Sequence, residues 1–440
     1  MVPIDRNARR RVGHAHPHAR TAGRQAAKRN REANMVNRSG LTALALAAGV
    51  AWHAPATAQN AGPAWVTAWA TSQQGLGTAK ITNATVRLIA RVTIPGDSVR
   101  VRLDNTFGTA PVTFDKASIG PRVRGAALAE GLVKPLTFGG KGAVTIAPGA
   151  SVESDAVALR VDALQDVGVN LYVASADVQP SQHNNAVVTS YLTENGAGDQ
   201  SGVAGGKAFT GQTTSMFWLK SIDVRPAAPA TAIVAFGDSI TDGTCSTLDA
   251  HDRWEDVVAQ RLALQGTARA VINEGIGGNT VTRANLDPPA ASPTGVERLD
   301  RDVLSHAGVT HVVLFMGTND IRREAPAAQV IDGIKNIISR VKARGIKIVG
   351  ATIIPRHTTV PGVENTGWNA AKTKIRNEVN DWMRKGTDFD AVVDFDKIVR
   401  SANDADLITP AYNCGDGVHP SPIGYFQMGK SVDLGLFGVK

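Results

Sequence analysis

Residues 232–243, AIVAFGDSITDG, combine five apolar residues with a polar turn that contains a serine. The apolar run is short and unbroken, as expected of a strand that is covered on both faces of a parallel sheet. The Gly-Asp-Ser that follows is typical of a tight turn that leads into a helix. The segment therefore predicts a strand, a turn and a helix, with Ser239 directly after the strand. Taken alone, the tripeptide is equally compatible with a simple turn or helix cap.

Further short β-rich runs follow at residues 270–273, 311–316, 346–354 and 391–395. Helical patterning separates them; the clearest case has Val330, Ile334, Ile337 and Val341 at helical spacing, with Gly345 placed to end that helix. This alternation predicts a parallel sheet with crossover helices, in which ligands bind beyond the carboxyl ends of the strands. We therefore expect any catalytic residue to follow directly after a strand.

The preceding half of the chain has a different pattern, with apolar residues at every second position of short segments. Examples are TVRLIARVTI (85–94), SVRVRLDNTF (98–107) and VGVNLYVA (167–174). Short strands with frequent Gly and Pro turns predict an antiparallel β-sandwich of jelly-roll type. A Pro- and Ala-rich run marks the expected linker. We therefore predict a sandwich at 59–225, a linker at 226–230 and a second domain at 231–440.

The formal net charge of +8 and the pI of about 9.6 would ordinarily indicate a nucleic-acid or anionic-membrane partner. The excess charge lies in residues 1–58, which hold ten basic and two acidic residues. The rest of the chain has 37 of each, so it has no surplus of cations to release counterions from a phosphate backbone. We predict no nucleic-acid partner.

The N-terminal region has the parts of a secretory signal peptide. Arg38 precedes the uncharged run GLTALALAAGVAW (40–52), and Ala56-Thr57-Ala58 offers a small-residue cleavage site. The run is too short to span a bilayer. We predict a signal peptide at 35–58, a secreted or periplasmic protein, and a spurious extension or disordered leader at 1–34. The alternative for 1–34, a basic arm that binds nucleic acid, fits poorly ahead of an export signal.

Polar segments stand at or near the predicted strand ends, and each alone could be a turn or a cap. In order and spacing, however, GDSITDG (237–243), GIGGN (275–279), GTND (317–320) and DGVHP (416–420) resemble the four blocks of the SGNH (GDSL) hydrolases. That family contains esterases, lipases, thioesterases and polysaccharide deacetylases. The resemblance runs from about residue 232 to the C-terminus, and it implies a flavodoxin-like three-layer α/β/α domain.

The resemblance also implies a role for each matching residue. Ser239 would be the nucleophile, His419 the general base and Asp416 the residue that orients it. The oxyanion hole would consist of the Ser239 and Gly278 backbone N–H groups and the Asn319 side chain. These residue types suit the chemistry, because an imidazole that titrates near neutrality can take the serine proton and fixed donors can stabilise an oxyanion. Such a site needs no metal and no cofactor.

Cys245 and Cys414 are the two cysteines of the chain. Cys245 follows Ser239 by six residues and Cys414 precedes Asp416 by two, so each lies in a loop that catalysis must bring together. We predict that they form a disulfide after export; two free thiols are the alternative. Candidate substrate contacts are Arg322, His357, Trp368 and Tyr412.

We expect an exported serine hydrolase that cleaves short acyl or aryl esters, either small molecules or acetyl or feruloyl groups on polysaccharide. An alternative within the same chemistry is a lipase or lysophospholipase. An alternative of another class is a carbohydrate- or surface-binding protein whose hydrolase-like domain is inactive. The sequence leaves the oligomeric state open.

Overall fold

The computed structural model describes residues 64–386 and 388–439. The predicted leader at 1–34 and the signal peptide at 35–58 lie outside these residues. Antiparallel strands end at Arg225 and parallel strands begin at Thr231, on either side of the predicted linker. The first group comprises β1 (Val66–Ala70), β2 (Gly75–Leu76), β3 (Ala84–Val92), β4 (Gly96–Asp104), β5 (Val112–Phe114), β6 (Lys116–Arg124), β7 (Ala127–Leu128), β8 (Lys134–Pro135), β9 (Val144–Ile146), β10 (Ser151–Glu153), β11 (Val157–Val161), β12 (Gln165–Val173), β13 (Ser181–His183), β14 (Ser190–Leu192), β15 (Gly211–Thr213), β16 (Met216–Phe217) and β17 (Leu219–Arg225).

Two larger sheets dominate this N-terminal region. One has the order β1-β17-β4-β10, with β11 also on β4, and the other has the order β15-β14-β3-β12-β6-β7, with β8 on β6. Alternate apolar residues of β3 and β4, such as Leu88 and Val101, belong to one buried core. The two sheets therefore share a core, as a β-sandwich requires. The jelly-roll connectivity stays a prediction.

The C-terminal region contains a parallel sheet in the order β19-β18-β20-β21-β22. Its strands are β18 (Thr231–Gly237), β19 (Arg269–Gly275), β20 (Val309–Phe315), β21 (Lys347–Ala351) and β22 (Ala391–Val393). The helices are α1 (Ser239–Asp242), α2 (Trp254–Leu264), α3 (Gly295–Leu299), α4 (Thr318–Arg322), α5 (Ala327–Lys342), α6 (Ala370–Lys385), α7 (Phe395–Val399) and α8 (Pro422–Ser431), with a π-helical turn at Asp300–Leu304 and 3₁₀ turns at Pro410–Tyr412 and Leu434–Phe437. Each strand overlaps one of the five predicted β-rich runs.

The central strand β18 shows why its sequence is apolar throughout. Val234 and Phe236 enter one buried cluster, which also contains residues of α5 and α6. Ile233 and Ala235 enter a second cluster, which contains residues of α2 and α8. Because both sides of the strand are covered, neither set of alternate residues can be polar.

The sandwich and the parallel sheet are in direct contact, and the link between them is more than the connecting segment. The Thr67 N–H of β1 donates to the Ala307 carbonyl, and Thr67 Oγ1 accepts from the Ala307 N–H. Each hydrogen bond is 3.0 Å long. Lys220 of β17 pairs with Asp302 at 2.9 Å, and both side chains are buried. In the described residues, 64–386 and 388–439, no helix is long and apolar enough to cross a membrane.

Candidate active site

Ser239 begins α1 immediately after the central strand. The Asp238 side chain caps the helix by accepting from the Ile240 N–H at 3.0 Å, and Gly243 ends it in the left-handed conformation at φ 105°. The turn before the serine is tight, because a side chain at Gly237 would collide with Thr241. The Ser239 hydroxyl lies 2.8 Å from His419 Nε2.

His419 also contacts Asp416, and this contact indicates which ring nitrogen carries the proton. Its Nδ1 lies 2.5 Å from Asp416 Oδ2 and donates to that carboxylate, which leaves Nε2 free to accept the serine proton. Burial favours a higher pKa for Asp416, but hydrogen bonds from the His419 ring and from backbone N–H groups outweigh it and lower the pKa to about 2. Asp416 is therefore ionised at neutral pH and can stabilise a protonated His419.

The loop that carries Asp416 and His419 is supported by His357. The His357 N–H donates to the Gly417 carbonyl at 2.8 Å, and His357 Nε2 accepts from the Ile408 N–H at 2.9 Å. Gly417 has a φ of 73°, and an added side chain would collide with Val360 and His357. His357, a predicted substrate contact, thus uses its ring Nε2 for the protein backbone.

The predicted oxyanion donors come from the ends of three adjacent strands. Ser239 follows β18, Gly278 lies in the loop after β19 with a φ of 71°, and Asn319 lies in α4 after β20. Asn319 is buried, and its Nδ2 donates to the Asn279 carbonyl at 3.0 Å. This contact joins the loop after β19 to the helix after β20.

Asp320, beside Asn319, holds the same loop further along the chain. Its carboxylate accepts from the N–H groups of Val281 and Thr282 at 2.8 and 2.9 Å. Burial outweighs these bonds and raises the pKa of Asp320 to about 6.

Sequence reasoning missed Arg298, whose side chain connects the end of β18 to the end of β19 and the loop that follows it. Its guanidinium donates to the Gly237 carbonyl at 2.8 Å, to the Glu274 carbonyl at 2.8 Å and to Asn279 Oδ1 at 3.0 Å. The side chain is fully buried, and burial lowers its pKa to about 10. An arginine four residues before Asp302 resembles an ordinary surface ion pair, so no sequence signal marks it.

Cys245 and Cys414 form the predicted disulfide, with their Cα atoms 6.3 Å apart. It joins the loop after Ser239 to the loop before His419. Cys245 Sγ, an Asp416 oxygen and a His419 nitrogen all lie within 4.8 Å of one another. In the disulfide, Cys245 has no thiolate to offer as a metal ligand.

The other predicted substrate contacts differ in exposure. Trp368 is buried, and its Nε1 donates to Thr373 Oγ1 at 3.0 Å. Arg322, at the end of α4, and Tyr412, in the 3₁₀ turn before the Asp416–His419 loop, are partly exposed. Arg322 and Tyr412 therefore keep surface that a ligand could contact.

Residues 235–426 match the model of the GDSL-like Lipase/Acylhydrolase family. No curated protein matches the sequence. Similar solved structures include a protein of the G-D-S-L family from Desulfitobacterium hafniense (22% identity, 46% of this chain and 97% of that chain, TM-score 0.34). Others are a GDSL-like lipase from Bacteroides thetaiotaomicron (21%, 47% and 88%, 0.35) and a carbohydrate acetylesterase from Sinorhizobium meliloti (19%, 46% and 95%, 0.37).

Proposed function

We propose that the protein is an exported serine hydrolase that cleaves carboxylic esters through an acyl-enzyme on Ser239, and the match of residues 235–426 to the GDSL-like lipase/acylhydrolase family supports the reaction class. The observation that carries the proposal is the continuous chain of hydrogen bonds from Ser239 through His419 to Asp416, 2.8 and 2.5 Å long. This arrangement has the geometry that an activated serine needs.

In the first half-reaction the Ser239 oxygen attacks the ester carbonyl while His419 Nε2 takes the hydroxyl proton. The tetrahedral intermediate collapses, the bond to the alcohol breaks, and His419 returns the proton to the departing alkoxide. Water then attacks the acyl-enzyme, with His419 again as base, and the acid leaves as the proton returns to Ser239. Asp416 stays ionised throughout and stabilises the imidazolium.

We propose that the carbonyl oxygen, which becomes negative on attack, accepts from the Ser239 and Gly278 N–H groups and from Asn319 Nδ2. A neutral amide suits this position, because it donates without titrating. Each such donor typically lowers the barrier by about 3–4 kcal/mol. The buried contacts of Asn319 support the role, since a donor that is already oriented needs no reorganisation during the reaction.

The substrates that we propose are short acyl or aryl esters, either small molecules or acetyl and feruloyl groups on polysaccharide. We also propose export, for which the cleavage pattern before residue 59 and the Cys245–Cys414 disulfide are the supporting features. Nitrophenyl esters of increasing acyl length, assayed beside acetylated xylan and feruloyl esters, test the substrate class. N-terminal sequencing of the exported protein tests cleavage after Ala58.

The finer architecture that we propose is a jelly-roll sandwich followed by a three-layer α/β/α domain. The strand order, second-first-third-fourth-fifth, supports a flavodoxin-like sheet. The two separate buried clusters that share β18 support helices on both of its faces.

The Ser239→Ala variant tests the proposed chemistry. We expect turnover of a short-chain nitrophenyl ester to fall by about 10³-fold or more, with an unchanged melting temperature. A fluorophosphonate should label the unaltered protein at Ser239 and leave the variant unlabelled. Ser246→Ala, in the segment that follows α1, is the matched control and should retain activity. Undiminished turnover in a rigorously purified Ser239→Ala variant would refute the proposal.

A further inference from the structure

His183, a histidine of the sandwich, reaches the end of the helical turn that begins with Ser239. It lies at the end of β13 and is fully buried. Its Nε2 is 2.9 Å from Asp242 Oδ1, and its Nδ1 is 2.9 Å from the Ser72 carbonyl. The two polar contacts fix the ring from both sides.

Both ring nitrogens of His183 act as donors. The Ser72 carbonyl can only accept, so Nδ1 carries a proton. Nε2 faces the Asp242 carboxylate and, at 3.2 Å, the Asn185 carbonyl, which are also acceptors. Burial favours a lower pKa for His183, but the charge of Asp242 and these hydrogen bonds outweigh it and raise the pKa above its ordinary value. The surroundings of His183 therefore favour the protonated ring.

Asp242 also contacts the loop after β19, which carries Gly278. Its second oxygen, Oδ2, accepts from the Gly277 N–H at 2.8 Å, and Gly277 directly precedes Gly278. The approach is close, because a side chain at Gly275 would collide with the Asp242 backbone. Asp242 also ends the turn that Ser239 begins, so a single residue belongs to that turn and binds the loop that carries a proposed oxyanion donor.

We infer that His183 is a positioning residue for ester hydrolysis: it fixes the Asp242 carboxylate, and through it the sandwich holds the Gly277–Gly278 segment in register with Ser239. This inference rests on the proposed function, and it gives the sandwich a part in turnover. Catalytic donors must be held within about 0.5 Å of their productive positions. A 1 Å displacement caused by a distant change can cost about 10²-fold in rate.

Two variants separate positioning from simple stability. His183→Phe keeps a ring of similar size and removes both donors, whereas His183→Gln keeps a neutral donor that can reach Asp242. His251→Gln is the matched control: this buried histidine lies near the same interface, but its ring makes no hydrogen bond to Asp242. Active sites are counted by fluorophosphonate titration, and kcat and KM are then measured per titrated site.

We expect His183→Phe to lower kcat per titrated site by about 10- to 100-fold with KM changed less than about threefold, and His183→Gln to recover part of the loss. His251→Gln should keep kcat per site. In an Asp242→Asn background, His183→Phe should cause little further loss, because the two residues act through one contact.

A purely structural His183 would lower the number of titratable sites and leave kcat per site unchanged, and that result overturns the inference. Independent, multiplying effects of the His183 and Asp242 variants also overturn it. If His183→Phe does not fold, the comparison of His183→Gln with His251→Gln decides the same question. Failure of the proposed function has a different signature, namely equal turnover by the unaltered protein and Ser239→Ala.

Discussion

The sandwich and the parallel-sheet region meet at one interface, yet they use polar side chains in opposite ways. The catalytic groups that we propose belong to the parallel-sheet region, and two of them are partly open to solvent: the His419 and Asp416 side chains are 16% and 42% exposed. The sandwich contributes His183 and Lys220, whose side chains are at most 3% exposed and whose partners lie across the interface. One region presents charges to a substrate, whereas the other uses charges to fix loops.

The difference follows from where each group lies in the fold. The carboxyl edge of a parallel sheet opens outward, so side chains there can meet a ligand. Groups at the interface are closed off, and a buried charge persists only when it is paired. We therefore expect variants at the sheet edge to lose rate and variants at the interface to lose stability. Variants of His183, which lies at the interface and contacts the turn that begins with Ser239, should lose both rate and stability.

Asp416→Asn should have the largest effect, and it tests the expectation that variants at the sheet edge lose rate. An amide cannot hold the His419 tautomer or stabilise its cation, so we expect kcat to fall by about 10³- to 10⁴-fold. The melting temperature should change little, because Asp416 is partly exposed. Steady-state kinetics and calorimetry measure the two effects. Asp381→Asn, on the exposed side of α6, is the control; a similar loss there, or a modest one at Asp416, would contradict the assignment.

Asp302→Asn should have the next largest effect, on stability. Asp302 is fully buried and pairs with Lys220 at 2.9 Å, while Arg301 and Arg298 also contact it. Burial favours a higher pKa for Asp302, but these cations outweigh it and hold the pKa well below its usual range. Removing its charge leaves buried cations unpaired, so we expect the free energy of unfolding to fall by about 3–5 kcal/mol.

Urea unfolding of Asp302→Asn should be compared with that of Asp300→Asn. Asp300 lies two residues away and pairs with Arg340, but its side chain is 73% exposed. An exposed pair contributes about 0–1 kcal/mol, so the control should be nearly as stable as the unaltered protein. Equal losses in both variants would show that the interface does not depend on its buried ion pairs.

The sequence was most informative where a short segment carries its own signal. The apolar run before Ser239 predicted β18, and the alternating run at 85–94 predicted β3, although in β3 the polar Thr85 and Arg87 are buried as well. Ser239, Asn319 and the Asp416–His419 loop could be named as candidates because each stands in a compact motif. Strands of two or three residues, such as β2 and β13, are too short to show a period.

Contacts across the interface could not be predicted in this way. His183 and Asp242 are 59 residues apart and meet only because β13 packs against the nucleophile turn. The sequence around His183, Ser-Gln-His-Asn-Asn, resembles an exposed loop. Arg298 was missed for the same reason, since its acceptors include backbone carbonyls at two strand ends. Backbone acceptors leave no mark in a sequence.

Asn319→Ala is a second test of rate loss at the sheet edge. It removes one proposed oxyanion donor, and we expect kcat to fall by about 10²- to 10³-fold, equivalent to about 2.7–4 kcal/mol. KM should change little if the donor acts mainly in the transition state. Asn336→Ala, on the exposed face of α5, is the control. A raised KM with unchanged kcat would instead place Asn319 in substrate binding.

Asp238→Asn should have the smallest effect, and it tests whether a buried charge beside the nucleophile costs stability. Burial raises the pKa of Asp238 to about 7, although its bond to the Ile240 N–H opposes the shift. In the unfolded chain the pKa is about 3.9. The protonated side chain therefore favours the folded state, and this advantage is lost as pH rises towards the folded pKa. Asparagine keeps the capping oxygen and does not titrate.

At 1.36 kcal/mol per pKa unit, the stability of Asp238→Asn relative to the unaltered protein should rise by about 2 kcal/mol between pH 5 and pH 7. Denaturant unfolding at both pH values measures this difference, and parallel stability curves would mean that Asp238 is already ionised in the folded protein at pH 5.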